Sequence, residues 1–169
     1  MKFYSGLGDR GRTHILRLAD LSKNDLILEA IGTIDEASAF FSLAAIHIRD
    51  QEMKDLIQPI QDDLHLIMAE VAGDKKNRLS SQRTTWLEEN INYWGRDLEP
   101  SREFISDWKE STSALLNVTR TVVRRAERKN VACFEKKKIN NPDILRYLNR
   151  LSSLVYVLQL YLQKDSAAK

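Results

Sequence analysis

One cysteine, three prolines and six glycines are spread over 169 residues, and each scarcity excludes something. The lone Cys133 has no partner for an intramolecular disulfide, and no apolar N-terminal segment of the secretory kind is present, so a reducing, cytoplasmic setting is expected. The longest mostly apolar run, residues 37–48, is broken by Ser and His and is too short to cross a bilayer, so no membrane role is expected. Charge of one sign is lacking too. With 26 basic and 24 acidic residues the net charge is +2, which argues against a nucleic-acid partner. His14, His47 and His65 show no metal-ligand spacing.

What remains is rich in helix formers. Three of the six glycines fall within the opening stretch "YSGLGDRGRTHIL", leaving little to interrupt helices downstream. The pattern predicts a single all-α domain over residues 1–169, folded as a five-helix up-and-down bundle, with residues 1–22 as a Gly-containing strip ahead of it. The expected helices cover residues 24–49, then 51–72 with a kink at Pro59 and a stop at Gly73, and a third from Ser80 or Ser81 to the 95–100 region. A fourth starts within 106–111 and continues through "SALLNVTRTVVRRAERK". A fifth is capped by Asn141, has Pro142 in its first turn and runs to about Gln163. The lysines at 136–138 read as a solvated loop, and Cys133 as a small packing residue.

Several features exceed what bundle packing requires. The opening strip is either a mobile tail or an anion-wrapping loop, since glycines free the backbone and Arg10, Arg12 and Thr13 supply donors. Steps of three and four from Asp35 reach Leu28, Ile31, Ala39, Ser42 and Ile46, placing an acid on an apolar stripe. Such a carboxylate either pairs with an arginine of another helix or reaches water at the rim of the core. On the fourth helix Arg120, Arg124 and Arg128 recur every fourth residue with Glu127 beside them, while Leu115, Val118, Val122, Val123 and Ala126 occupy the other side and Arg125 flanks it. Stacked like charges repel, so this face meets bulk water or a polyanion such as triphosphate. Asn149 interrupts the largely apolar "YLNRLSSLVYVLQLYL", either to read a polar ligand edge or to bond another helix.

Together the blocks "LEAIGTIDEASAF" (28–40), "RTVVRRAERK" (120–129) and "YLNRLSSLVY" (147–156) resemble the PduO-type ATP:cob(I)alamin adenosyltransferases, or corrinoid adenosyltransferases. The opening "YSGLGDRGRTH" is similar to that family's Thr-Lys-x-Gly-Asp-x-Gly strip, and "LSKND" to its lysine-containing segment just downstream. The resemblance spans nearly the whole chain. It implies a homotrimer of five-helix bundles in which the strip of one subunit closes over the fourth-helix arginines of another, around ATP with Mg2+. It also implies transfer of the 5'-deoxyadenosyl group of ATP to the cobalt of a reduced corrinoid, with release of triphosphate. A reductase would supply the electron and an adenosylcobalamin-dependent enzyme would receive the product.

The same resemblance implies roles for individual residues. ATP contacts fall on Ser5, Gly6, Leu7, Gly8, Asp9, Thr13, His14, Lys23, Arg124, Arg125, Glu127, Arg128 and Asn149. Arg124, Arg125 and Arg128 with Lys23 would neutralise the leaving triphosphate, and Glu127 would orient that cluster or the metal, with no residue assigned as a direct Mg2+ ligand. Arg120 would pair with Asp35 and shape the corrinoid pocket. Phe104 would lie at the lower face of the corrin ring and help remove the lower axial ligand. With Co(I) as nucleophile, the protein needs no attacking side chain of its own.

Three departures from the family pattern stand out. Gly6 occupies the usual lysine position of the strip, with Arg10 or Arg12 as replacement cations. Asp107, Trp108 and Lys109 replace a Pro-Gly-Gly turn, and Ser153 replaces an acid. They leave a non-catalytic ATP- or corrinoid-binding carrier or regulator as the alternative reading.

Overall fold

The helical part of the chain begins at Asp25, whose side chain accepts from Ile27 N at 2.9 Å and so caps α1 (Leu26–His47). In this computed structural model, which describes residues 3–99 and 110–167 with side chains as far as Lys164, five further helices follow. They are α2 (Gln51–Asp55), α3 (Ile57–Val71), α4 (Ser81–Gly95), α5 (Ser111–Glu135) and α6 (Pro142–Ala167). The expected bundle is present, with α2 as a short preface to α3.

Two features depart from expectation. The helix expected over 51–72 is broken at Leu56 rather than kinked at Pro59. Pro59 has no N–H to offer the carbonyl of Asp55, so the ladder fails ahead of the ring, and the proline settles in the first turn of α3, where its missing donor costs nothing. The opening strip is not wholly irregular either. It contains an antiparallel hairpin of β1 (Arg12–Ile15) and β2 (Leu18–Ser22), joined by a two-residue turn with Leu16 at φ 36°. Thr13 faces Leu21 and Ile15 faces Leu18, so β2 carries one extra residue, and Asp20 takes up the bulge at φ 53°.

Other boundaries follow local chemistry. Gly73, at φ 97°, ends α3 as expected. Glu110 caps α5 by accepting from Thr112 N at 3.0 Å and from Ser113 N. Asn141 Oδ1 accepts from Asp143 N at 3.1 Å with Pro142 opening α6, which then passes Gln163 and reaches Ala167. Phe104, Asp107, Trp108 and Lys109 lie outside the described residues.

Helix α5 is central, packed between α1 and α6. The core they share includes Ile34 and Phe41 of α1, Leu116, Val123 and Ala126 of α5, and Leu148, Leu151 and Val155 of α6; all are fully buried. Each of the larger side chains contributes about 1.5–3 kcal/mol on leaving water, and the spacing by three, four and seven puts them on one stripe per helix. Helices α3, α4 and α6 are tied by a polar cluster. Asp63 holds Arg83 Nε at 2.8 and 2.9 Å through its two oxygens and accepts from Tyr147 OH at 2.7 Å, while the Arg83 guanidinium stacks on Trp86 at 4.4 Å. Burial pushes the Tyr147 hydroxyl well above its ordinary range, and the Asp63 bond raises Arg83.

Candidate active site

Helices α1 and α5 run antiparallel, and their register is set by a column of cross-helix contacts. Lys138 Nζ meets Asp25 at 3.1 Å, Cys133 Sγ donates to Leu26 O at 3.2 Å, Lys129 pairs with Glu29 at 3.0 Å, Arg125 pairs with Glu36, and Thr112 Oγ1 donates to His47 O at 3.4 Å. This column sorts the cations of α5 into two sets. Arg125 and Lys129 point to α1 and are held there by carboxylates. Arg124 and Arg128 are exposed, with no carboxylate among the described residues in ion-pair contact with either, and Arg128 Nη1 donates to Arg124 O at 3.1 Å. Two guanidinium groups one turn apart, uncompensated and facing outward, suit a polyphosphate.

Two further site residues are joined. Asn149 of α6 donates through Nδ2 to Glu127 Oε1 at 2.9 Å, and its Oδ1 accepts from Arg150 at 2.9 Å. Glu127 is thereby turned toward α6, immediately beside the exposed arginines. Asn149 therefore makes the inter-helix bond weighed from the sequence, while remaining exposed at the same edge.

The expected Asp35–Arg120 pair is not formed within the chain. Asp35 is exposed, and Arg120, half-buried, donates instead to Asn117 Oδ1 at 2.7 and 3.2 Å. Register explains the first part: with Glu36 opposite Arg125, Asp35 lies more than a helical turn along the axis from Arg120. Phase explains the second. The buried stripe of α1 is Ile27, Ala30, Ile34, Ala37, Phe41 and Ala44, and Asp35 sits about 100° round from Ile34. Because α1 is apolar on nearly all sides, the stripe through Leu28, Ile31 and Ile46 reads as well as the true one. Val118, expected on the buried side of α5, also faces outward.

That outer face is unusually apolar. Ile46 is 75% exposed, Val118 42% and Leu43 40%, alongside Asp35, Thr121 and Arg124. The strip has the same character, with Phe3, Tyr4 and Leu7 in solvent.

The strip is shaped by two successive turns, Asp9 N to Gly6 O and Gly11 N to Gly8 O, both 3.2 Å, with Gly6 and Gly11 at φ 72°. Lys23 stands behind it: its backbone N–H donates to Gly11 O at 2.8 Å, and its ammonium passes 2.9 Å from where a Cβ on Gly8 would lie. Ser5, Leu7, Asp9 and His14 are exposed, Gly8 and Thr13 half-buried. Arg12 does not replace the cation missing at Gly6. It is engaged across the hairpin, with Nε 2.5 Å from Asp20 Oδ1 and Nη2 donating to Asp20 O and Oδ2, which holds the Asp20 carboxyl below its usual range. Among the described residues, no hydrogen bond or ion pair joins residues 5–14 to residues 124–128 within one chain. Within one chain the strip and the arginine face therefore stand apart.

Comparison with known proteins shows the family. The model of the cobalamin adenosyltransferase family matches residues 3–162. The chain belongs to the cobalamin adenosyltransferase family. It is 33% identical over 164 residues to the corrinoid adenosyltransferase PduO of Salmonella typhimurium, covering 94% of this chain but 48% of that protein. It is 31% identical to a corrinoid adenosyltransferase of Bacillus subtilis, covering 92% of this chain and 83% of the other. The chain thus spans about half the length of the PduO relatives and most of the shorter ones. Among solved structures, a phenylalanine-to-histidine variant of the PduO-type ATP:corrinoid adenosyltransferase of Lactobacillus reuteri, complexed with cobalamin and ATP, superposes with a TM-score of 0.87 at 28% identity, covering 95% of this chain and 90% of that one. An arginine-to-lysine variant of the same enzyme, complexed with ATP, gives 0.84 at 29% identity.

Glu29, Glu36 and Asn117 are site neighbours that sequence reasoning missed. The first two gave no clear signal, since acids seven apart on α1 do not match the spacing of Arg125 and Lys129, four apart on α5.

Proposed function

We propose that this chain is an ATP:corrinoid adenosyltransferase that binds ATP against Arg124 and Arg128 and passes its 5'-deoxyadenosyl group to the cobalt of a reduced corrinoid, cob(I)alamin. The observation that carries the reading is the sorting of the α5 cations: two are held by α1 carboxylates while two stand uncompensated at the surface. Membership of the family and likeness to a structure holding cobalamin and ATP support it.

In this reaction the electron pair on Co(I) forms the cobalt–carbon bond at C5' as the C5'–oxygen bond breaks, and triphosphate leaves with that bond's electrons. The protein's contribution is position and charge. Arg124 and Arg128 meet the growing negative charge on the leaving group. Arg125 shares that task only by leaving Glu36, so its first role is to fix α5 against α1. Glu127, held by Asn149, borders the triphosphate. Mg2+ would ride on the phosphates, and Glu127, held by Asn149 beside the exposed arginines, would be the acid to orient it.

The site is completed by a second copy in a homotrimer. The apolar side chains Leu43, Ile46 and Val118, together with Phe3, Tyr4 and Leu7 of the strip, are of the kind that subunit contact covers. In that assembly Lys23, Gly6, Gly8 and Thr13 of one subunit would lie over the arginines of the next, and Asp35 and Arg120 would face the corrinoid with Phe104. The enzyme would work in the cytoplasm, taking its reduced corrinoid from a reductase and delivering adenosylcobalamin to a dependent enzyme. No helix among the described residues is long and apolar enough to cross a membrane.

The test is anaerobic incubation of the purified chain with Mg-ATP and chemically reduced cobalamin, following the visible spectrum for a light-sensitive alkylcobalt product and assaying triphosphate. The two should appear in equal amounts. Folded protein that binds ATP yet forms neither would leave the carrier reading in place.

A further inference from the structure

A second cleft, of about 520 Å³, opens at the hairpin end of the bundle and shares no residue with the proposed ATP set. Its floor is apolar, from Leu18, Ile27, Val71 and Ile139, and its rim carries Lys75, Arg78, Lys137 and Lys138 against Glu70 and Asp74.

Both acids are already satisfied. Glu70 accepts from Arg78 Nε at 2.8 Å, Leu79 N at 2.9 Å and Asn141 Nδ2 at 3.1 Å. Asp74 accepts from Lys76 N at 2.9 Å and Asn77 Nδ2 at 3.2 Å within its own loop. Arg78 is committed to Glu70 and Asn140, and Lys138 to Asp25. Lys75 and Lys137 have no carboxylate in ion-pair contact among the described residues. With four cations against two acids the rim is net positive, although Asp74 keeps its charge, and the two lysines without a carboxylate partner among the described residues stand above an apolar floor.

The backbone carries an independent sign. The cleft lies between two helix ends closed by the same motif. At the end of α3, Gly73 N donates to Glu70 O and Asp74 N to Ala69 O; at the end of α5, Lys137 N donates to Phe134 O and Lys138 N to Cys133 O. The residue at the left-handed position is glycine in the first, at φ 97°, and lysine in the second, at φ 55°. Glycine occupies that position without strain, whereas a side chain there costs stability. A strained lysine whose side chain lines a cleft, with the unstrained solution used opposite it, is the pattern of a residue kept for what it binds.

The geometry points to this cleft as a binding site for a small phosphate monoester, its phosphate held by Lys75 and Lys137 and its apolar body on Leu18, Ile27 and Ile139. Lysine ammoniums supply point charges for a phosphate dianion, and Arg78, already fixed by Glu70, borders them as a third donor.

Phenyl phosphate is the probe, titrated calorimetrically into the full chain, with phenol as the control lacking the dianion. The wild-type chain should take up one equivalent, and Lys75→Gln should weaken binding about tenfold, as loss of one charged hydrogen bond would. Lys137→Gly should bind at least as weakly while melting at a higher temperature than the wild type, which separates lost binding from lost folding. Arg124→Ala should bind as the wild type does. Binding abolished by Arg124→Ala would place the anion in the ATP site instead. Unchanged binding in Lys137→Gly, or no uptake by the wild type at millimolar probe, would also overturn the assignment.

Discussion

Arg125 on α5 is ion-paired with Glu36 on α1, whereas Arg124, its neighbour in sequence, is exposed with no carboxylate in contact among the described residues. Two adjacent arginines thus have different occupations. Arg124→Ala should leave stability within about 0.5 kcal/mol of the parent while weakening ATP binding about tenfold or more. Arg125→Ala should cost about 0.5–1 kcal/mol, the ordinary worth of a half-exposed pair. Thermal melts with and without Mg-ATP separate the two; equal loss of stability in both variants would contradict the sorting.

The Asp63 cluster makes a larger demand. Removing the carboxylate leaves Arg83 without its buried partner and the fully buried Tyr147 hydroxyl without its acceptor. Asp63→Ala should cost about 3 kcal/mol or more, and Tyr147→Phe about 1–2 kcal/mol. Urea denaturation measures both. Asp63→Ala within about 0.5 kcal/mol of the parent would show that the cluster contributes nothing net.

Acid sensitivity should trace in part to Asp25. The N–H of Ile27, then Lys138, holds its carboxyl below the usual range in the folded chain. A depressed folded value means stability that is present above the unfolded value, about 3.9, and is lost as pH falls through the lower folded one. Asp25→Asn keeps the cap but cannot titrate, so its stability should fall less steeply than the parent's below about pH 4. Parallel curves for the two proteins would remove Asp25 from the account.

Phe104→Ala should separate reduction from transfer. If the side chain helps strip the lower axial ligand, activity starting from Co(II) should fall much further than activity from chemically supplied Co(I). Equal losses from both starting states would reject that role.

How far the sequence carried the reading depended on the kind of signal. Asn141–Pro142 and Gly73 mark helix ends through local chemistry that needs no partner, so those boundaries were legible. Of the two readings left open for Asp35 the structure shows the one that reaches water; the choice was not legible because α1 is apolar on nearly all sides, and periodicity alone does not choose a phase when several are hydrophobic. The hairpin was missed because β1 and β2 are only four and five residues long, and their inward face, Thr13, Ile15, Leu18 and Leu21, is interrupted by the bulge and too short to register as an alternating pattern. Asp63, Arg83 and Tyr147 come from three helices, and nothing in their separate neighbourhoods announces that they meet.

The most direct test follows the transferred group itself. ATP labelled in the 5'-deoxyadenosyl carbon would be incubated with the chain and cob(I)alamin under single-turnover conditions, and the label traced by chromatography in the dark and after illumination. One label per light-sensitive corrinoid and one intact triphosphate per transfer are expected, both lost together in Arg124→Ala. Label appearing in ADP, or remaining in ATP bound to folded protein with reduced corrinoid present, would contradict the proposed transfer.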